Sequence, residues 1–148
     1  FSRHSPSGGT GVVRISGFTI VRNAIKLDFP VEASIRSILP VCDEVVVNVG
    51  RSEDETLDLV RSIADPRIRI IETEWDMSRR NTVLGAETLR AMRACTHPWG
   101  IYIQADEVLH ETGAVELAAA VRAIPVTLRK AMIARCVRPS IEPKRPVT

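Results

Sequence analysis

Apolar and polar positions alternate along this chain in blocks whose period switches between that of a strand and that of a helix. Val12 to Val21 is almost continuously apolar and β-branched, and predicts a first strand. From Ile25 to Leu39, Val31, Ile35, Ile38 and Leu39 recur at helical spacing. Pro30 is placed at the first turn of that helix and Pro40 closes it. Asp43 to Val49, with Val45-Val46-Val47 at its centre, reads as a strand buried on both faces. A polar turn, Gly50 to Thr56, leads to a helix carrying Leu57, Leu59, Val60 and Ile63, with Ser52 or Asp54 as its cap and Asp65-Pro66 as its end. Ile68 to Ile71 predicts a third strand. Asn81 to Ala94 predicts a helix whose apolar positions are Val83, Leu84, Leu89 and Met92.

The stretch Trp99 to Glu111 carries the most chemistry. Ile101-Tyr102-Ile103 reads as a short strand, and Gln104, Ala105, Asp106, Glu107, His110 and Glu111 crowd its carboxyl end. Ala114 to Ala123 is Ala-rich and helical, stopped by Pro125. Val126 to Cys136 fits a helix or a strand, and Arg138 to Thr148, with three prolines, reads as extended. The order β-α-β-α-β-α-β-α predicts an α/β fold, a mainly parallel sheet flanked by helices. In such sheets ligands bind at the carboxyl ends of the strands. A carboxylate there is able to take a hard divalent cation shared with substrate phosphates. Equally, Asp106 and Glu107 are acids of the kind that open a helix.

Composition narrows the class. At 148 residues the chain suits one domain with a real core, and no apolar run approaches the roughly 18 residues that span a bilayer. Cys42, Cys95 and Cys136 are odd in number and lack CxxC spacing, which argues against a disulfide framework or zinc site. Cys42, beside a strand, reads as a small buried hydrophobe. Trp75 and Trp99 read as core aromatics or as platforms for a base or sugar. The net charge of +2 hides an asymmetry. Residues 122–148 hold seven Lys or Arg and one Glu, whereas residues 1–121 hold thirteen basic and seventeen acidic side chains. We therefore expect a leader at 1–11, one domain at 12–123 and a basic, Pro-containing tail at 124–148, with no specific nucleic-acid partner.

Four segments together resemble family-2 glycosyltransferases, whose nucleotide-sugar-binding half has the fold called GT-A. Ile15 to Asn23 is similar to the family's opening strand and nucleotide-contacting turn. Asp43 to Val47, followed by Ser52-Glu53-Asp54-Glu55-Thr56, is similar to the second strand and its Ser-x-Asp-x-Thr turn. Arg80-Asn81 precedes a helix, as an Arg-Asn pair does in the family. Gln104-Ala105-Asp106-Glu107 stands where the family has Asp-x-Asp. The likeness runs from Ile15 to Glu111. It departs from the pattern at Val49 and Gln104, where acids are usual, and at Glu55, where Gly is common.

The resemblance implies a donor site for a nucleoside diphosphate sugar, formed by Val21, Arg22, Asn23, Ser52, Asp54, Arg80, Gln104 and Asp106. It implies Asp106 as ligand to a divalent cation, Mg or Mn, and transfer to a glycan or cell-surface acceptor. The family's catalytic base lies well beyond the metal motif. Neither Glu116 nor Glu142 fits that role, and His110, near a strand end, reads as structural. The alternative is a truncated remnant that folds or binds nucleotide without turnover. The missing initiator Met suggests a piece of a longer reading frame, the absent export signal a cytoplasmic place, including the inner face of the membrane. A sheet edge left open by truncation invites self-association. A sugar nucleotidyltransferase or dinucleotide-binding domain would need a Gly-rich phosphate loop after the first strand, and Phe18 to Ala24 has none.

Overall fold

The computed structural model describes residues 13–123 and 134–135. Five strands lie in one sheet: β1 (Ile15–Val21), β2 (Glu44–Gly50), β3 (Ile68–Thr73), β4 (Trp99–Tyr102) and β5 (Ala134–Arg135). Their order is β3-β2-β1-β4-β5 and every neighbouring pair is parallel. Helices α1 (Val31–Ile38), α2 (Thr56–Ser62), α3 (Val83–Ala94) and α4 (Glu111–Ala123) form the connections. The expected α/β architecture, a mainly parallel sheet flanked by helices, is therefore the observed one. The leader at 1–11 and nearly all of the basic tail lie outside the described residues. Within that tail, the backbone of Ala134–Arg135 extends the sheet beside β4.

β1 and β2 are buried along their whole lengths, as expected for central strands covered on both faces. Val45, Val46 and Val47 are fully buried. On α1, Val31, Ser34, Ile35 and Ile38 form the inward stripe, three and four residues apart. The helix is shorter than the apolar spacing predicts. Residues 24–28 form turns, Asp28 adopts φ 56°, and Pro30 stands just before the helix instead of inside its first turn. A left-handed residue and a proline without an N–H together prevent an earlier start. At the other end a 3-10 turn, Leu39–Val41, contains Pro40.

Trp99 is buried in the main core with Ile101 and Ile103. Cys42 is buried too, and burial, with the nearby Asp43 charge, pushes its thiol up to about 12, so it behaves as a small apolar group. Gly17 of β1 is required by packing. A Cβ there would come within 2.7 Å of Ile38 Cδ1 and 3.0 Å of Cys42 Sγ. Gly17→Ala is expected to destabilise the domain by about 2 kcal/mol through overpacking, measured by urea unfolding.

α3 presents a different face from the one its apolar residues suggest. Leu84 and Leu89 are exposed, at 58% and 38%, while Glu87 is buried beside Val83 and Ala91. The physical reason lies in β2, where the fully buried Asn48 donates through Nδ2 to Glu87 Oε2 at 2.8 Å and to the Glu87 carbonyl at 3.1 Å. A buried amide must find partners, and Glu87 turns toward the sheet to supply them. None of the described helices is long and apolar enough to cross a membrane.

Candidate functional site

All strands being parallel, Val21, Gly50, Thr73 and Tyr102 end on the same side of the sheet. β1 is the switch point: the chain moves from it first to β2 and β3 on one side, then to β4 on the other. Crevices form where strand order reverses. A cavity of about 460 Å³ opens there, lined by Val21, Arg22, Trp75, Tyr102, Gln104 and Asp106 among others. A second, of about 320 Å³, shares Arg22, Trp75 and Met77 with it and adds Arg51, Ser52 and Glu74. The two make one cleft across the ends of β1, β2 and β3.

Electrostatics separate this cleft from its neighbours. A cavity of about 510 Å³ beyond β2 and β3 is lined, among the described residues, by Glu53, Asp54, Glu55, Asp58, Glu72 and Glu74 against the single cation Arg51. Hydrogen bonding with Asp58, and its charge, raise the Glu55 carboxyl, a mark of crowded negative charge. Anionic ligands are disfavoured there. A larger cavity, about 700 Å³, lies between α1 and α4 and is lined by residues such as Ala33, Val41, Val108 and Ala118. Neither contains Arg22 or Asp106.

Of the residues named from sequence, Val21, Arg22, Gln104 and Asp106 come together on the first cavity. Arg22 is half-buried, and its Nε donates to the Arg51 carbonyl at 3.2 Å, which holds the guanidinium across the cleft. Asp106 is exposed at the rim. The Gln104 carbonyl accepts from Ser34 Oγ at 2.9 Å and its N–H donates to Glu107 Oε2 at 3.1 Å, so the turn after β4 is fixed from both sides.

Asn23, Ser52 and Asp54 form a latch between loops. Asn23 adopts φ 53° and its Oδ1 accepts from the Glu53 N–H at 2.8 Å. Ser52 Oγ accepts from the Asn23 N–H at 3.0 Å and donates to the Gly50 carbonyl at 2.9 Å. Asp54 accepts from the Lys26 and Thr56 N–H groups and from the Thr56 hydroxyl, and that hydroxyl accepts from the Ala24 N–H. Asp54, not Ser52, therefore serves the start of α2. These side chains shape the cleft by holding the β1 and β2 loops together, and only Ser52 also lines it. Arg80 is exposed and lines none of the four cavities. His110 Nδ1 accepts from the Thr112 N–H at 3.2 Å, a structural role at the start of α4.

The sequence reading passed over Arg51, Tyr102 and the pinning of Trp75. Tyr102 stacks on Phe18 with ring centroids 5.4 Å apart. Burial raises its hydroxyl pKa, a hydrogen bond with Thr88 opposes the rise, and the Glu107 and Asp106 charges add to it, so the phenol stays neutral beside the cavity. The one signal for the Trp75 network was a polar Asn48 inside the run Val45–Val49.

Does the donor set suit a divalent cation? Among the described residues no group of three or more His, Cys, Asp or Glu is placed to hold a metal ion. Among the described residues, the half of the cleft that holds Gln104 offers one carboxylate, Asp106, beside the Gln104 amide, while Glu53 and Glu74 line the other half. That set does not make a resident cage. It fits an ion such as Mg or Mn that takes one carboxylate and completes its shell with water and substrate phosphates.

No sequence-family model and no curated protein sequence matches the chain. Solved structures do. Residues 1–349 of Staphylococcus aureus TarS match with a TM-score of 0.58 at 18% identity. The same fragment in complex with UDP matches with a TM-score of 0.56 at 18% identity. Each match covers 74% of this chain and 32% of the other. A longer TarS structure gives 0.53 at 19% identity, covering 74% and 19%. The chain thus spans about a third of the TarS fragment, and what the likeness establishes is a shared α/β fold.

Proposed function

We propose that this domain binds the nucleoside diphosphate part of an activated sugar, as the donor-binding portion of a glycosyltransferase whose acceptor is a glycan. The observation that carries this reading is the meeting of Arg22, from the end of β1, and Asp106, from beyond β4, on one cavity at the switch point. A guanidinium matches phosphate oxygens in a planar fork. A carboxylate facing the same phosphates would repel them unless a divalent cation stood between. When bound, that cation would stabilise charge on the departing diphosphate as a Lewis acid. The chain's own groups bind and orient: Arg22 engages phosphate, the fixed turn at Gln104 places Asp106, and Tyr102 lines the apolar side. The UDP complex of TarS supports trying uridine nucleotides first.

Calorimetric titration of UDP and GDP, with and without manganese, tests the reading. UDP is expected to bind with manganese and more weakly without it. Arg22→Ala is expected to weaken binding about tenfold, through loss of a charge-assisted contact. A folded wild-type protein that binds neither nucleotide under either condition overturns the proposal.

A further inference from the structure

Trp75 follows β3 and borders both halves of the cleft. Its indole lies flat against Gly50, the last residue of β2: a Cβ built on Gly50 would come within 2.7 Å of Trp75 Cε2 and Nε1 and 2.9 Å of Cδ2. Gly50 does not have a positive φ, so what it supplies is room for the ring. The indole N–H donates inward to Thr73 Oγ1 at 3.1 Å. The Thr73 hydroxyl donates to Asn48 Oδ1, and Asn48 donates on to the buried Glu87. A relay anchored in the core therefore fixes the ring's height and tilt. With the only polar atom of the indole turned inward, the part of the ring that borders the cleft is carbon. Two cations, Arg22 and Arg51, and two carboxylates, Glu53 and Glu74, line the same half of the cleft as this ring.

We infer that Trp75 is the stacking platform for the heteroaromatic base of the nucleotide, positioned by the Thr73–Asn48–Glu87 relay. The inference rests on the nucleotide reading of the cleft and assigns the base to the side of Arg51 and Ser52, leaving Gln104 and Asp106 to the diphosphate and sugar. A flat indole accepts any base, since every base has a π face. Trp75 thus supplies affinity, and the identity of the base is left to polar groups at its edge.

The test titrates UDP and inorganic pyrophosphate, each with manganese, into wild type, Trp75→Ala, Trp75→Phe and Gly50→Ala, all checked for folding by circular dichroism. Trp75→Ala is expected to weaken UDP by roughly tenfold to a hundredfold, the usual range for a lost base–aromatic stack, with pyrophosphate unchanged. Trp75→Phe keeps a ring and is expected to retain most of the affinity. Gly50→Ala, which pushes the ring off its seat, is expected to lose UDP and spare pyrophosphate. UDP should also quench indole emission in the wild type and fail to do so in Trp75→Phe, where only the buried Trp99 remains. If Trp75→Ala weakens UDP and pyrophosphate in parallel, or weakens neither, the platform is overturned and the nucleotide reading stands. If UDP fails to bind the wild type, both fall.

Discussion

Asp106→Ala is expected to abolish the manganese dependence of UDP binding while leaving the domain folded. The expected size is the whole gain that manganese confers, about 3 kcal/mol or roughly a hundredfold in affinity. The reasoning starts from what surrounds the side chain. Asp106 is exposed at the end of the turn after β4, so its removal leaves no hole in the core. Among the described residues it is the one carboxylate lining the cavity that also holds Arg22, Gln104 and Tyr102. Its neighbour Glu107 is already engaged, accepting the Gln104 N–H. Glu53 and Glu74 line the other half of the cleft, on the side assigned to the base. Without Asp106 a cation retains only water and phosphate oxygens, as it does on free nucleotide in solution. Asp106→Asn, which keeps the shape and removes the charge, is expected to behave like the alanine variant. Titration of manganese alone is expected to show weak binding at most, because no preassembled set of three ligands is present among the described residues. Undiminished manganese-dependent binding in Asp106→Ala would remove Asp106 from the metal site.

How much of this was legible in the sequence follows from what each signal reports. Continuous β-branched runs report double burial, and Val45–Val49 lies within β2 as a central strand. The alternation of periods reports topology, and the parallel sheet follows from it. Periodicity says nothing of what a polar residue inside a strand requires. Asn48 decides which face of α3 points inward, which is why Leu84 and Leu89 face outward against the pattern while Glu87 is buried.

Residue type carries the same ambiguity at the site. Asn23, Ser52 and Asp54 are of the kind that contact a nucleotide, yet short polar side chains in tight turns also satisfy nearby backbone groups. The structure shows them doing so. Arg22 stands directly after β1 and Asp106 at the end of the turn after β4, and both line the crevice that a parallel sheet leaves at its carboxyl ends. Trp75 was ambiguous for a further reason. One part of the ring packs in the minor core with Phe18 and Ile20, while another borders the cleft, so each reading of it describes part of the side chain.

The opposite end of the sheet yields the second large effect. Glu44 opens β2 and is buried, and its carboxylate accepts from Ser16 Oγ at 2.6 Å on β1, from both the N–H and the hydroxyl of Thr96 before β4, and from Arg69 Nη1 at 3.0 Å on β3. One side chain thus ties together the amino ends of four neighbouring strands. Burial alone would favour the neutral acid, but the hydrogen bonds from Ser16, Thr96 and Arg69 outweigh it and hold the carboxyl near 2, from an ordinary value of 4.5. A group whose folded pKa is depressed stabilises the protein above its unfolded pKa and loses that contribution as pH falls through the folded value. The stabilisation from Glu44 is therefore complete above about pH 5 and fades between pH 4.5 and 2. Its size is about 3 kcal/mol at neutral pH, set by the shift. Glu44→Gln is expected to lose most of this at pH 7 and to have a flatter stability profile in acid, so that the gap from wild type narrows toward pH 2. Urea unfolding at pH 7, 5 and 3 measures it, and a gap that stays constant or widens with acid would contradict the charged reading of the carboxylate. Because Glu44 lies at the amino ends of the strands and the cleft at their carboxyl ends, the folded variant should keep its UDP affinity. Loss of stability without loss of binding separates this anchor from the residues of the site.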